Sequence, residues 1–303
     1  MLSQYILHDI IGKGGYSTIY KCTDHIGIRY ACKMLPKHKN KRERVSQEIH
    51  LMKTMKSSSK VVRFIDALED DDNYYIIQEW CRGGSVEEYI KSYSQYGVNT
   101  VASIIRGVSR SLYHLHENNI IHRDIKSGNV LLGDKSDDAD VKLGDLGISI
   151  MSKLELVEVD NLVATPWFMA PENLSSKYHK KSDIWSLGVL TYQLLSGKLP
   201  FNDKKNITNP SIALIWRSIL NDEPNFSSKR WETIDADAID FIRLCLNKDY
   251  EKRPTPTECL NHPFLTKTDC NDRFKGQQLN YKPFEYTKNI DMNAVTLDMY
   301  YKL

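Results

Sequence analysis

No apolar run in the 303 residues approaches the ~18 that a membrane-spanning helix needs, so no helical span is expected. The first thirty residues also lack a basic front, an apolar stretch and a small-residue cleavage site, so no secretory signal is expected. The six cysteines, at 22, 32, 81, 245, 259 and 270, never form a C-x-x-C pair. That argues against a disulfide framework and a zinc site, and fits a reducing, cytoplasmic compartment. Net charge is only +2, which gives no reason to expect a nucleic-acid partner. Internal repeats and low-complexity blocks are absent as well. What remains is an ordinary globular composition, long enough for one large domain or two lobes.

The chain changes character partway along. "QYILHDII", "YSTIYKCT" and "IRYACKML" read as strands separated by turns. In "RERVSQEIHLMKTMK", Val45, Ile49 and Met52 recur at helical spacing among charges, which predicts an amphipathic helix. Two further strand-like runs, "VVRFIDALE" and "NYYIIQEWC", end at Gly83-Gly84, a candidate hinge. Beyond it the pattern is mostly helical: "NTVASIIRGVSRSLYHLHEN" is periodic and "SDIWSLGVLTYQLLSG" is apolar nearly all round, as in a buried helix. The expected class is therefore α+β and bilobal, with a β-rich lobe over 1–82, a hinge near 79–84 and a helical lobe over 83–265. The polar tail, 266–303, is expected to lie on the domain or to be partly disordered.

Several clusters of residues suit chemistry on phosphate. "GKGGYSTIY" sets Gly12, Gly14 and Ser17 in a turn where backbone amides can approach phosphate oxygens unhindered by a Cβ. It is neither a P-loop, because no Gly-Lys-Ser/Thr follows, nor a dinucleotide fingerprint, because a strand follows where a helix should. Lys33 ends a strand, and Glu48 borders the apolar face of the amphipathic helix, where a carboxylate needs a cation. "IIHRDIKSGNVLL" packs His122, Arg123, Asp124, Lys126 and Asn129 between apolar flanks, where polar groups are costly unless paired.

Taken in order, the glycine loop, strand lysine, helix glutamate, "HRDIKSGN", "DLG", "APE", Asp183-Ile184-Trp185 and Arg253 resemble the eukaryotic protein kinases over residues 5 to about 265. The resemblance implies ATP and Mg²⁺ as cofactors, and roles follow by motif. Lys33 would bind the α- and β-phosphates, held by Glu48. Asp124 would orient the acceptor hydroxyl and take its proton, while Lys126 would neutralise charge at the γ-phosphate. Asn129 and Asp145 would hold the metal. Ile19, Ala31 and Leu131 would sandwich adenine, with Gln78 as gatekeeper and Glu79 to Cys81 as hinge. His122 would be structural. Thr165, followed by Pro166, and Lys126 point to serine/threonine acceptors, and Glu172 with Arg253 would form a buried ion pair. A protein substrate and a monomeric enzyme are expected. The alternative is a nucleotide-binding scaffold with little turnover.

Some positions depart from the pattern. Leu146 stands where the family usually has phenylalanine, a tolerable apolar exchange. Three acids that bind substrate arginines in basophilic relatives are replaced by Ser85, Gly128 and Gln193, so strong arginine-directed specificity is not expected unless Glu87 and Glu88 substitute. "LELVEVDNLV" offers no phosphorylatable hydroxyl, so Asp160 or Glu158, near Asn161, is expected to pair with Arg123 and make the enzyme constitutively competent. "YACKMLPK", "IWRSILNDEPNF" and "NHPFL" look most like the calcium/calmodulin-dependent and calcium-dependent-kinase group. No segment after 265 carries EF-hand ligands, so calcium independence is expected. The basic run from Lys37 to Arg44 reads as a solvated loop, with a nuclear address as the alternative.

Overall fold

A computed structural model describes residues 4–92, 95–134, 140–159, 165–206, 209–267 and 278–280. Five antiparallel strands form the small lobe: β1 (Tyr5–Lys13), β2 (Thr18–Asp24), β3 (Arg29–Pro36), β4 (Phe64–Glu69) and β5 (Asn73–Glu79), in the order β1-β2-β3-β5-β4. Strand alternation gives the sheet two faces. Cys22, Cys32, Tyr75 and Ile77 make a small core on the outer one. The inner face receives α1 (Arg42–Thr54), which turns Val45, Glu48, Leu51 and Met52 inward. The predicted amphipathic helix is thus present, with Glu48 inside its buried stripe.

The chain then passes Gly83 and Gly84. A Cβ on Gly83 would lie 2.0 Å from the Asp134 carbonyl oxygen, and Gly84 sits at φ +75°, so this turn needs glycine twice. Two short strands and a helix follow: β6 (Gly84–Ser85), α2 (Val86–Ser92) and β7 (Gln95–Gly97). The 20-residue α3 (Val98–Glu117) buries Val101, Ile104, Ile105, Val108, Leu112 and Leu115, the helical period read from sequence. Beneath the cleft run β8 (Ile120–Ile121), β9 (Val130–Leu132), β10 (Val141–Leu143) and β11 (Ile150–Met151). β9 pairs with both β10 and β6, and β11 pairs with β8.

Next, β12 (Leu156–Glu158) pairs antiparallel with β13 (Lys177–His179). In α4 (Lys180–Ser196), 14 side chains are buried, matching an apolar helix surrounded by others. A Cβ on Gly188 would stand 2.7 Å from Cys245, so α4 packs this closely on α6 only with glycine there. The large lobe is completed by α5 (Ile212–Asn221), α6 (Ala236–Cys245), α7 (Pro256–Leu260) and α8 (Pro263–Thr266). In the tail, β14 (Gln278–Asn280) pairs with β7, so this part does lie on the domain. The sheet-rich lobe, the glycine turn and the helical lobe agree with the α+β bilobal expectation.

Candidate active site between the lobes

Strand register assembles the roof of the cleft. Gly12 lies opposite Ile19, Ile19 opposite Lys33, and Ala31 opposite Gln78. Pairing and alternation therefore put Gly12, Ile19, Ala31, Lys33 and Gln78 on one face of the sheet. The β1–β2 turn closes through a hydrogen bond from the Gly14 N–H to the Ser17 carbonyl, 2.9 Å. Below, Leu131 on β9 comes close enough that a Cβ on Gly144 would meet it at 3.1 Å.

Lys33 is 6% exposed and bridges two acids, Glu48 Oε1 at 2.6 Å and Asp145 Oδ1 at 2.7 Å. Burial alone would lower the ammonium's pKa, but Asp145 and Glu48 outweigh it and hold the group above its ordinary value. Desolvation pushes the Glu48 carboxyl up, opposed by Lys33. At Asp145 desolvation acts upward too, but there Lys33 wins and keeps the carboxyl well below the usual carboxylate range. Helix α1 is further fastened to the segment after Asp145. Arg44 Nε donates to the Gly147 carbonyl at 3.0 Å and Gln47 Nε2 to the Ser149 carbonyl at 3.1 Å. A Cβ on Gly147 would stand 3.0 Å from both Asp145 Oδ1 and Glu48 Oε2, so only glycine fits against this cluster without a shift.

The floor is equally well paired. Thr165 Oγ1 donates to Asp124 Oδ1 at 2.9 Å and accepts from Lys126 Nζ at 2.9 Å, while Lys126 also meets Asp124 Oδ2 at 2.7 Å. Asn129 Nδ2 donates to the Asp124 carbonyl and to its Oδ2, each at 2.8 Å. His122 is fully buried, its Nε2 against the Gly144 carbonyl at 2.9 Å and its Nδ1 accepting from the Asp124 N–H at 3.2 Å. With both ring nitrogens committed it orients the loop and is not a base. Asp183, on α4, accepts from the backbone N–H groups of His122 and Arg123, each at 2.9 Å, and meets His116 Nε2 at 2.9 Å. Its carboxyl is held below the ordinary range: burial opposes this, but the His116 hydrogen bond and charges outweigh it.

These residues fit a nucleotide with a divalent cation. Among the described residues Asn129 Oδ1 and Asp145 Oδ2 have no protein partner, giving two hard oxygens that face the cleft from different loops. The described residues hold no cluster of three or more His, Cys, Asp or Glu side chains able to grip a metal alone. Magnesium suits such a site, because it usually takes one or two protein oxygens and completes its shell with phosphates and water. At the hinge, the Cys81 N–H makes no hydrogen bond among the described residues, while its carbonyl accepts from the Gly84 N–H at 3.1 Å. The Glu79 side chain is committed to Lys142, 2.5 Å away, so only its backbone can serve a ligand. Burial, helped by Glu79, pushes the Cys81 thiol up to about 12, so it is inert here.

Every sequence-predicted site residue falls in this cleft, and the predicted Glu172–Arg253 pair forms in the large lobe, bidentate at 2.7 and 2.8 Å. The substrate side is more mixed. Gln193 is 1% exposed inside α4, so it offers no surface to a peptide. Glu88 caps its own helix through the Ser85 N–H, 2.8 Å, whereas Glu87 pairs with Lys91 at 2.7 Å beside Gly128. Glu158 lies exposed on β12 opposite Lys177, and Asp160, Asn161 and Ala164 fall outside the described residues. Sequence reasoning missed Tyr178, whose ring centroid lies 4.1 Å from the Arg123 guanidinium. It left Asp183 without a role, although the two nearby histidines and the H-R-D motif were the signal to follow.

The comparisons agree with this geometry. Residues 5–265 match the protein kinase domain. The chain is 34% identical to calcium-dependent protein kinase 29 of Arabidopsis thaliana over 274 residues, 89% of this chain and 50% of that protein. It is 32% identical to calcium-dependent protein kinase 5 of Plasmodium falciparum (isolate 3D7), covering 96% and 51%. It is also 32% identical to calcium/calmodulin-dependent serine/threonine-protein kinase 1 of Oryza sativa subsp. japonica, covering 88% and 45%. The chain spans about half the length of the curated relatives it matches. With its motif residues gathered between two lobes, this chain belongs to the protein kinase family.

Proposed function

We propose that this chain transfers the γ-phosphate of ATP to serine and threonine hydroxyls of proteins. The observation that carries the reading is Thr165, bonded to both Asp124 and Lys126 at 2.9 Å. That bridge fixes a base and a cation side by side at the point where the acceptor must sit. The acceptor oxygen forms a bond to phosphorus as the bond to the β-phosphate oxygen breaks, and Asp124 takes the hydroxyl proton. Lys126 offsets charge on the transferred group, and Lys33, steadied by Glu48, positions the α- and β-phosphates. Bound magnesium supplies further neutralisation of phosphate charge, with Asn129 and Asp145 as the residues that would hold it.

The same state supports activity without phosphorylation or calcium. Lys33, Glu48 and Asp145 are already joined, and β12 is already paired with β13. Arg123 donates to the Ile148 carbonyl at 3.1 Å and stacks on Tyr178, which ties the catalytic loop to β13. The missing acids at Ser85, Gly128 and Gln193 support weak dependence on substrate arginine.

The test is Mg·ATP-dependent transfer to a positional-scanning peptide library, with calcium chelated and after phosphatase treatment. The reading expects phosphoserine and phosphothreonine, undiminished by either treatment, with little preference for upstream arginine. ATP binding without transfer would favour the scaffold alternative. Loss of transfer on chelation or phosphatase treatment would overturn the regulatory part alone.

A further inference from the structure

A second concave site lies behind the cleft, at the hinge end of the small lobe. Ile28 and Tyr30 come from the start of β3 and the turn before it. Lys53 and Lys56 come from the end of α1, and Arg63, Phe64 and Ile65 from β4 and its approach. Together they line a groove of about 710 Å³. It shares no residue with the nucleotide or acceptor site. Its floor is apolar and half-buried, and its lip continues into Ile28 and Ile26, 48% and 69% exposed.

Its charge sets it apart from the rest of the lobe. Lys37 and Arg42 are matched by Glu69, Lys60 by Asp140, and Lys142 by Glu79. Around the groove this matching stops. Three cations line it with no acid among them, and none of the three has an ion-pair partner among the described residues. The Lys53 ammonium rests 5.1 Å from the Phe64 ring centroid, which orders it over the floor without neutralising it. Like charges gathered without counter-charge repel one another, and a ligand bringing carboxylates would relieve that repulsion. The apolar floor adds a second requirement, since a polyanion of phosphates alone would leave it uncovered, and a basic peptide would be repelled.

We propose that this groove docks a segment of a partner protein carrying a bulky apolar anchor flanked by at least two aspartates or glutamates. The anchor covers Tyr30, Phe64 and Ile65, and the carboxylates meet Lys53, Lys56 and Arg63. The cleft stays open to ATP and substrate while the groove is filled. The site reads partner identity on a face separate from the one where phosphate is transferred.

The test begins with a phage-displayed random dodecapeptide library panned on the full chain, with counter-selection on a Lys53→Glu, Lys56→Glu, Arg63→Glu variant. Enriched sequences are expected to share an apolar anchor and two or more acids. A fluorescein-labelled consensus peptide should then bind in anisotropy at least tenfold more weakly to the variant, and more weakly as salt rises. ATP should not displace it, and the variant should keep wild-type melting temperature and basal transfer. If the triple variant does not fold, Lys56→Glu alone, at an exposed position, should still weaken binding several-fold. Enrichment without acids, equal binding to the variants, or displacement by ATP would overturn the proposal. So would a tenfold gain in peptide affinity from Asp291→Asn, Asp298→Asn in the full chain, because the occupant would then be the chain's own C-terminal segment.

Discussion

Lys33–Glu48 and Arg253–Glu172 are both buried ion pairs, yet they are built for different ends. Arg253 is 1% exposed, grips Glu172 with two hydrogen bonds and donates as well to the Asn247 and Lys181 carbonyls at 2.8 and 3.1 Å. Every partner belongs to the large lobe, so the pair locks the segment after Thr165 to that lobe whatever is bound. Lys33 instead joins three separate pieces, β3, α1 and the loop after β10, and its second acid, Asp145, is 48% exposed toward the cleft. One pair closes a structure and the other assembles a site. Buried charge contributes stability where its partners are fixed, and function where they belong to parts that can move relative to one another.

The largest effect that would sharpen this contrast is on catalysis at Lys33. Lys33→Met should lower transfer by roughly 10²–10³, the cost of losing one electrostatic donor at developing charge. Its melting temperature should change little, because burial already pushes Glu48 up and the carboxyl can take a proton once its cation is gone. Thermal melts beside single-turnover rates check both halves. Arg253→Ala should show the reverse order of effects, losing about 3–5 kcal/mol of stability by leaving Glu172 buried without a cation. Urea unfolding measures that loss, and a loss as small for Arg253→Ala as for Lys33→Met would break the comparison.

A smaller effect is expected at Thr165, where the bridge positions two groups that survive its removal. Thr165→Ala should slow transfer by about tenfold, equivalent to ~1.4 kcal/mol, and Thr165→Ser should recover most of it. The mildest test is pH. Asp183 has a lowered pKa, so it contributes stability that is present above its unfolded pKa of about 3.9 and lost as pH falls through the folded value. Melting temperature should therefore drop on acidification below about pH 4, and Asp183→Asn should flatten that part of the curve.

Much of the cleft was legible because its chemistry needs particular residue types at fixed positions. Asp124, Lys126, Asn129 and Asp145 are polar residues forced next to buried strands, and only a charged ligand makes that arrangement worthwhile. Glu48 was readable for the same reason, as a carboxylate on a face that packs inward. The β-rich lobe, the long period of α3 and the all-apolar α4 follow from periodicity. What stayed hidden were contacts between pieces distant in sequence that use ordinary residues. Tyr178 has nothing in its neighbourhood to mark it as the ring over Arg123. Gln193 aligned with a substrate-binding acid, but α4 is buried all round, and burial on that side was not visible from its motif position. The groove behind the hinge is likewise assembled from β3, α1 and β4, none of which carries a motif for it.

The most direct measurement is mass-spectrometric identification of the phosphorylated residue in a peptide mixture turned over by the wild-type chain and by Asp124→Asn. Phosphate on serine and threonine, reduced by roughly 10²–10⁴ in the variant, is the result expected of a proton acceptor at that position. Equal transfer by the two proteins, or phosphate on tyrosine alone, would contradict the roles assigned to Asp124 and to the Thr165 bridge.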